Sequence, residues 1–338
     1  MTPLQQRLEA RPPQRVLVIQ TAFLGDTVFT SALVRSLARK WPQAEIDLCV
    51  APRGKEAAQA IPGVAHVHLY DKRGADSGLR GLRRIAARLS TRQFPLAVLP
   101  HRSLRTALLA RLSRVPERVG FADAAGSILY TARVRTAERA FLAREADLAR
   151  ALGAEPAEME LRPRPDWLLA ARAALGPSAE ERLAAVCIGS EWETKIWPPS
   201  RVASLGRILV ARGFRPVLLG GPRERALARE INCGGIDTTG NPVGEALAIL
   251  SMSALAVGGD TGLVHAARAM GVPTVTVFGP TSPLAHRFGP QQRAVSLGLS
   301  CSPCSAHGSR RCPLGHHRCL RDLDAERVAA ACQEVLTA

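Results

Sequence analysis

Four short segments of the chain combine residue types that can handle a charged leaving group. In Gly258-Gly-Asp-Thr-Gly-Leu-Val-His265 an apolar strand runs into two glycines, and a helix is expected to start at Asp260 or Thr261. The open N–H groups of a first helical turn, with the helix dipole, attract an anion. Glycines at 258, 259 and 262 would let a phosphate approach the backbone. Thr261 and His265 are four apart and share a helix face, so His265 can turn toward whatever the helix start holds. The same letters also fit an ordinary capped helix, with Asp260 as N-cap and His265 on the surface.

The other three segments follow strand-like runs. Gly189-Ser-Glu-Trp-Glu-Thr-Lys-Ile-Trp-Pro198 carries Lys195, the single lysine of the second half. Where arginine is the default cation, a lone lysine suggests a compact point charge for a phosphate, or chance. Gly220-Gly-Pro-Arg-Glu224 places Glu224 where it can accept from ribose hydroxyls or favour a helix start electrostatically. Leu24-Gly25-Asp26 puts a carboxylate at another helix start. Asp26 reads either as an N-cap or as a general base kept ionised by the helix dipole. The chain has no Walker loop and no GxGxxG fingerprint.

The elements that position these segments are legible as alternation. Arg15–Gln20 reads as a strand, a helix runs from about Asp26 to Lys40, and Trp41-Pro42 ends it. Strand-like and helix-like stretches then alternate to Leu112, which predicts a parallel sheet with helices on both faces. Proline-rich, non-periodic residues 155–166 read as a linker. A second alternating series follows, with strands at Ala184–Ile188, Arg215–Leu219, Leu255–Val257 and Thr274–Phe278. The expected layout is a flexible polar lead-in (1–14), a first Rossmann-like domain (15–160) and a second (161–338) ending in a helix at 324–336. Ligands would bind in the cleft where the carboxyl ends of the two sheets face each other.

Charge separates the halves. The net charge is +16. Residues 1–165 hold 27 basic and 15 acidic side chains, whereas 166–338 hold 18 and 14. Such an excess attracts polyanions: nucleic acid, anionic membrane or a phosphorylated substrate. The candidate patch is Arg80, Arg83, Arg84, Arg88, Arg102 and Arg105. Leu79–Arg92 is amphipathic and reads either as a membrane-surface helix or as a helix packed on the sheet. No run reaches the roughly 18 apolar residues of a membrane helix, and Met1–Gln14 offers no signal peptide, so a cytoplasmic chain is expected. Cys49, Cys187, Cys233 and Cys332 fall among apolar or helical residues and read as small hydrophobes. Cys301, Cys304, Cys312 and Cys319 cluster in a Pro/Gly/His-rich loop (301–319). They read as a candidate structural zinc or iron site, as free thiols or as disulfides, which a reducing compartment disfavours.

Taken together, the segments resemble glycosyltransferase family 9, the lipopolysaccharide heptosyltransferases. The matching residues are Gln20-Thr-Ala-Phe-Leu-Gly-Asp26, Lys195-Ile-Trp-Pro198, Gly220-Gly-Pro222, Asp260-Thr-Gly-Leu-Val-His265 and Phe278-Gly-Pro-Thr-Ser-Pro283, in the family's order over about residues 15–285. The tail Cys312-Pro-Leu-Gly-His-His-Arg-Cys319 is most similar to the second heptosyltransferase type. The resemblance implies a GT-B fold and an inverting transfer without catalytic metal or cofactor. ADP-heptose would be the donor and the phosphorylated inner core of lipid A the acceptor, at the anionic inner leaflet. It implies Asp26 as base, and Lys195 with Asp260, Thr261 and Gly262 on the diphosphate, with His265 beside them. Ser190 and Glu224 would be donor and ribose contacts, although this chain has Ser190-Glu191 where the family often has small hydroxyl or glycine residues. Two alternatives stay open: a related transferase with another nucleotide-sugar donor, and a basic nucleic-acid-binding protein with a zinc knuckle. The second is disfavoured because aromatics are only 4% and the charge lies in the half without the cysteine cluster.

Overall fold

The computed structural model describes residues 1–338, which divide into two compact units, Met1–Arg162 and Pro163–Ala338. Unit 1 runs α1 (Pro3–Ala10), β1 (Arg15–Gln20), α2 (Leu24–Lys40), β2 (Glu45–Val50), α3 (Lys55–Gln59), β3 (Val64–Leu69), α4 (Gly78–Ser90), β4 (Leu96–Leu99), α5 (Leu104–Leu112), β5 (Glu117–Phe121), β6 (Ala132–Val134) and α6 (Phe141–Ala151). Its six strands pair in the order β3-β2-β1-β4-β5-β6, every pairing parallel. Val16 to Ile19 of β1 are fully buried, as a strand covered on both faces requires. The order reverses between β1 and β4, which makes the loops after these two strands the ligand-binding place of such a sheet.

Residues 1–14 are not the flexible lead-in expected. Thr2 Oγ1 accepts from Gln5 N–H at 3.2 Å while Gln5 Oε1 accepts from Thr2 N–H at 2.7 Å, a capping box that starts α1. Leu4 and Leu8 are buried, and Arg7 pairs with Glu117 at 2.9 Å. The helix is too short to persist alone, so tertiary packing holds it. α4 is also settled: Leu82, Ile85, Ala86 and Leu89 sit in the core with Leu17, Ile19 and Tyr70. Its apolar stripe is therefore unavailable to a membrane, and only Leu79, 69% exposed, stays outside. The segment expected to link the units is tied down as far as Arg162. Ser36 and Ser31 of α2 accept from Ala157 and Glu160 N–H, and Arg162 N–H donates to Ala60 O.

Unit 2 runs α7 (Pro165–Leu175), β7 (Leu183–Cys187), α8 (Pro199–Ala211), β8 (Arg215–Leu219), α9 (Arg225–Glu230), β9 (Ile236–Asp237), α10 (Val243–Met252), β10 (Leu255–Gly259), α11 (Gly262–Ala269), β11 (Thr274–Val277), β12 (Gln292–Val295), α12 (Arg318–Arg321) and α13 (Ala325–Thr337). Its sheet, β12-β11-β10-β7-β8-β9, is again all parallel. Counted within the unit this is the same order as in unit 1, with the reversal between β7 and β10. The chain is thus α/β with two Rossmann-like sheets. Cys49, Cys187, Cys233 and Cys332 are buried as expected of small hydrophobes. No helix is long and apolar enough to cross a membrane.

Candidate active site

In unit 2 the loops after β7 and β10 meet at the reversal point. The first ends in a 3₁₀ turn, Glu193–Lys195, which brings the Lys195 ammonium to Asp260 Oδ2 at 2.7 Å and to Asp260 O at 2.9 Å. Two of the glycines expected to admit a phosphate, Gly258 and Gly259, abut backbone here. A Cβ on Gly259 would stand 2.7 Å from the Lys195 carbonyl oxygen, and one on Gly258 2.5 Å from the Cys187 carbonyl oxygen. They let β10 run close under the lysine turn.

Asp260 is not the N-cap of α11; Thr261 occupies that position. The Asp260 carboxylate instead gathers donors. Thr281 Oγ1 donates to Oδ2 at 2.8 Å, and the His265 and His286 Nε2 atoms lie 2.9 and 3.3 Å from Oδ1. Burial raises its pKa, but the two histidines and Lys195 outweigh that and hold it far below the usual carboxylate range. His265 is buried, not on the surface, and burial brings its pKa down to about 4. No side chain caps α11, and the Thr261 hydroxyl oxygen is enclosed without a hydrogen-bond partner. The first-turn N–H groups, that hydroxyl and Lys195 are the groups here with the chemistry to hold an anion.

Ser190 and Glu224 follow β7 and β8, which are neighbouring strands of this sheet. Glu224 Oε2 accepts from Gly221 N–H at 2.7 Å, and its carboxyl backs onto Gly189, where a Cβ would meet Glu224 Cδ at 2.8 Å. Ser190 Oγ accepts from Trp192 N–H at 3.2 Å. Sequence reasoning missed His286 and Thr281. The signal was present, since both lie in or just past the quoted run Phe278–Pro283.

The cysteine loop, 301–319, grips the lysine turn. Thr194 Oγ1 donates to Ser309 O at 2.8 Å and accepts from Ser309 N–H at 2.9 Å, while His317 Nε2 donates to Thr194 O at 2.8 Å. Burial first, then Cys312 and Cys301, raise the Cys304 thiol pKa, and burial with Cys304, Cys312 and Cys301 raises that of Cys319, so the four lie near one another. They are not drawn into a ligand set: the one group of three candidate ligand atoms within 4.8 Å of one another is Asp260, His265 and His286. That group already carries the Lys195 ammonium and the Thr281 hydroxyl, so it reads as an ion-paired hydrogen-bond network.

In unit 1, Asp26 is the third residue of α2 and its Oδ2 accepts from Phe23 N–H at 3.1 Å. Around it the carboxyl ends of β1, β3 and β4 supply positive charge. Lys72 Nζ donates to Thr21 O at 2.8 Å, Thr21 Oγ1 lies 3.2 Å from His101 Nδ1, and Arg105 Nη1 donates to Lys72 O at 3.2 Å. Burial, then Arg73, Arg105 and Arg53, push the Lys72 pKa down, while Asp26 opposes them. Burial and Lys72 take His101 down to about 4. Burial pushes Glu145 up to about 8, with Asp26 adding to it against Arg144. Lys72 carries the same sequence signal as Lys195, a rare lysine among arginines.

The six-arginine patch divides. Arg80 and Arg83 are exposed on α4, Arg84 pairs with Asp76 at 2.7 Å, and Arg88 donates to Leu69 O at 2.8 Å. Arg102 pairs with Asp123 at 2.7 Å and covers the Phe121 ring. Arg105, bonded to Lys72 O, and Arg102, which acts on Arg144, belong to the surroundings of Asp26.

The sequence model of glycosyltransferase family 9 (heptosyltransferase) matches residues 82–315. The chain is 27% identical over 361 residues to lipopolysaccharide heptosyltransferase 2 of Salmonella typhimurium, covering 96% of this chain and 99% of that one. Its fold is similar to that of a family 9 glycosyltransferase from Veillonella parvula, with a TM-score of 0.85 and 20% identity over 96% of this chain and 97% of that one. It is also similar to Escherichia coli ADP-heptose lps heptosyltransferase II, with a TM-score of 0.77 and 21% identity over 96% and 98% of the two chains. With the matched segment spanning well over half of the sequence, the chain belongs to glycosyltransferase family 9, and it is an enzyme, a glycosyltransferase of GT-B fold.

Proposed function

We propose that the protein transfers heptose from ADP-heptose to the inner core of lipopolysaccharide. The observation that carries this reading is the set of donors at the start of α11: first-turn N–H groups without a side-chain cap, the unpartnered Thr261 hydroxyl and an ammonium fixed by Asp260. A diphosphate leaving group is neutralised by such a set without a metal ion. Glu224 and Ser190 then serve the ribose side of the donor. The names of the Salmonella and E. coli relatives support heptose as the sugar and ADP as its carrier.

The reaction is one inverting displacement. The Asp26 carboxylate takes the proton of an acceptor hydroxyl, and that oxygen forms a bond to the heptose anomeric carbon. The bond from this carbon to the diphosphate oxygen breaks on the opposite face, and ADP departs with the electron pair. Lys72, Arg105, Arg102 and the arginines around them favour a phosphorylated acceptor over a neutral one. The chain would work at the cytoplasmic face of the inner membrane, held to the anionic leaflet by Arg80 and Arg83. Cys301, Cys304, Cys312 and Cys319 are proposed as the seat of a structural zinc or iron, which would have to draw the thiols together. Backbone N–H groups, that of His317 first, lower the Cys312 pKa and so favour the thiolate a metal binds.

Calorimetry with ADP, UDP and GDP, followed by product mass with ADP-heptose and a core acceptor, tests the reading. ADP should bind and the other two should not. The Asp26→Ala variant should keep ADP binding and lose turnover by at least about a hundredfold, the low end for a general base. Near-normal turnover in that variant would sink the base role.

A further inference from the structure

Arg268 is a charged side chain only 5% exposed, and nothing in the reading above gives it a role. A guanidinium taken out of water needs partners for its N–H groups. Its Nε donates to Gln292 Oε1 at 2.9 Å, Nη2 donates to Arg287 O, and the group covers the Phe288 ring at 4.7 Å. No carboxylate touches it. Burial brings its pKa down to about 10, so it stays protonated in neutral solution. The remaining contact is Nη1 to His265 Nδ1, 3.3 Å.

That contact fixes a proton. A guanidinium only donates, so Nδ1 of His265 must accept. A neutral imidazole with an accepting Nδ1 carries its hydrogen on Nε2, and Nε2 faces Asp260 Oδ1 at 2.9 Å. The opposite tautomer would set N–H against N–H on one side and a lone pair against a carboxylate on the other. A doubly protonated ring would repeat the first clash. We infer that Arg268 is a positioning residue of the donor site: it holds His265 as the Nε2–H tautomer, and through that ring aims the Asp260 carboxylate at Lys195. The inference rests on the reading of the α11 start as the donor's diphosphate site.

Asp260, His286 and Arg268 are the ionisable groups that act on His265, with the His286 ring stacked at 4.8 Å. The one charged side chain of α10, which packs against α11, is Glu245, and it accepts from Asn241 at 3.0 Å. β10 and β11 carry no charged residue. One chain of contacts runs from Arg268 to His265, Asp260 and Lys195.

The test uses full-length protein labelled with ¹⁵N-histidine. In the wild type, His265 should show the Nε2–H tautomer and no titration between about pH 5.5 and 8. In Arg268→Met the ring should titrate in that window or populate both tautomers, and Arg268→Lys should restore the wild-type pattern in part. ADP affinity, by calorimetry, should fall about tenfold in Arg268→Met, the size of coupling seen within one hydrogen-bond network. It should fall no further in Arg268→Met/His265→Ala than in His265→Ala alone. A wild-type His265 in the Nδ1–H form, an unchanged spectrum in Arg268→Met, or additive losses in the double variant would each overturn the inference. If Arg268→Met fails to fold, Gln292→Ala, which releases the anchor of the guanidinium, carries the same spectral expectation. Absence of ADP binding in the wild type would instead sink the donor-site reading, while the tautomer result stands or falls by itself.

Discussion

Replacing Glu145 by glutamine isolates the cost of a buried acid placed near Asp26. Glu145 lies on the face of α6 that packs against α2, 7% exposed, with one oxygen 3.5 Å from the Thr30 hydroxyl and the other without a partner. Burial pushes its pKa up to about 8 from an ordinary 4.5. Below about pH 4.5 both folded and unfolded chains hold the proton, and the group costs nothing. As pH rises toward 8 the unfolded chain releases a proton that the folded chain retains, so stability falls by about 1.4 kcal/mol per pH unit. The loss reaches about 3 kcal/mol at pH 7 and levels at about 5 kcal/mol above pH 8, the energy equivalent of a carboxyl moved from 4.5 to about 8. Glutamine has the same shape and does not titrate. Hydrogen exchange at the α2 and α6 amides reads unit 1 by itself. Glu145→Gln should gain on the wild type between pH 5 and 8 and then run parallel to it, with turnover at pH 7 within about twofold, because the acid it replaces is already neutral. Parallel stability curves across pH 5 to 8 would refute the reasoning.

Other outcomes follow from single contacts. Gly259→Ala drives a methyl against the Lys195 carbonyl 2.7 Å away and should weaken ADP binding more than it lowers stability, as calorimetry beside a melting curve will show. Asp47 is fully buried and bonded to His68 at 2.6 Å, and Arg92 and His66 help hold its pKa below 3.8 against the effect of burial. Its stabilisation is therefore present above that ordinary value and lost as pH falls below it. Asp47→Asn should cost unit 1 about 2 kcal/mol at pH 7 by urea unfolding and flatten its acid limb. Elemental analysis after chelator-free purification should find zinc or iron in proportion to chain, abolished by Cys304→Ser; metal-free protein with ADP affinity intact would end that proposal.

What was legible in the sequence depended on where the determining contacts lie. β1, β7 and β10 are short apolar runs with glycine or a polar loop directly after them, so both the strands and the loops at the reversal points could be read without a partner. The Asp260 network could not. Thr281 and His286 reach the carboxylate only because β11 runs parallel to β10 and returns its following loop to the same end of the sheet. Glu145 was hidden for a related reason. Phe141, Glu145 and Leu148 share one helix face, and an acid on an otherwise apolar stripe is the mark of a buried titratable group, but α6 itself had not been read as a helix. The N-terminal helix carried a T-x-x-Q capping signature at Thr2 and Gln5 that the prolines nearby obscured. Asp26 and Asp260 each fitted an N-cap as well as a functional role in the sequence. In the structure neither is, since Asp26 is the third residue of its helix and Asp260 precedes the cap.

The grip of Ser309 and His317 on Thr194 has a consequence in time. The turn that carries Lys195 is fastened by residues 115 and 123 positions later in the chain. During synthesis every donor-side residue from Ser190 to His286 emerges before its fastening does. A nascent or truncated chain that stops short of the cysteine loop would own all the letters of the donor site and lack its arrangement. On the proposed reading, competence to hold the donor therefore arrives nearly last.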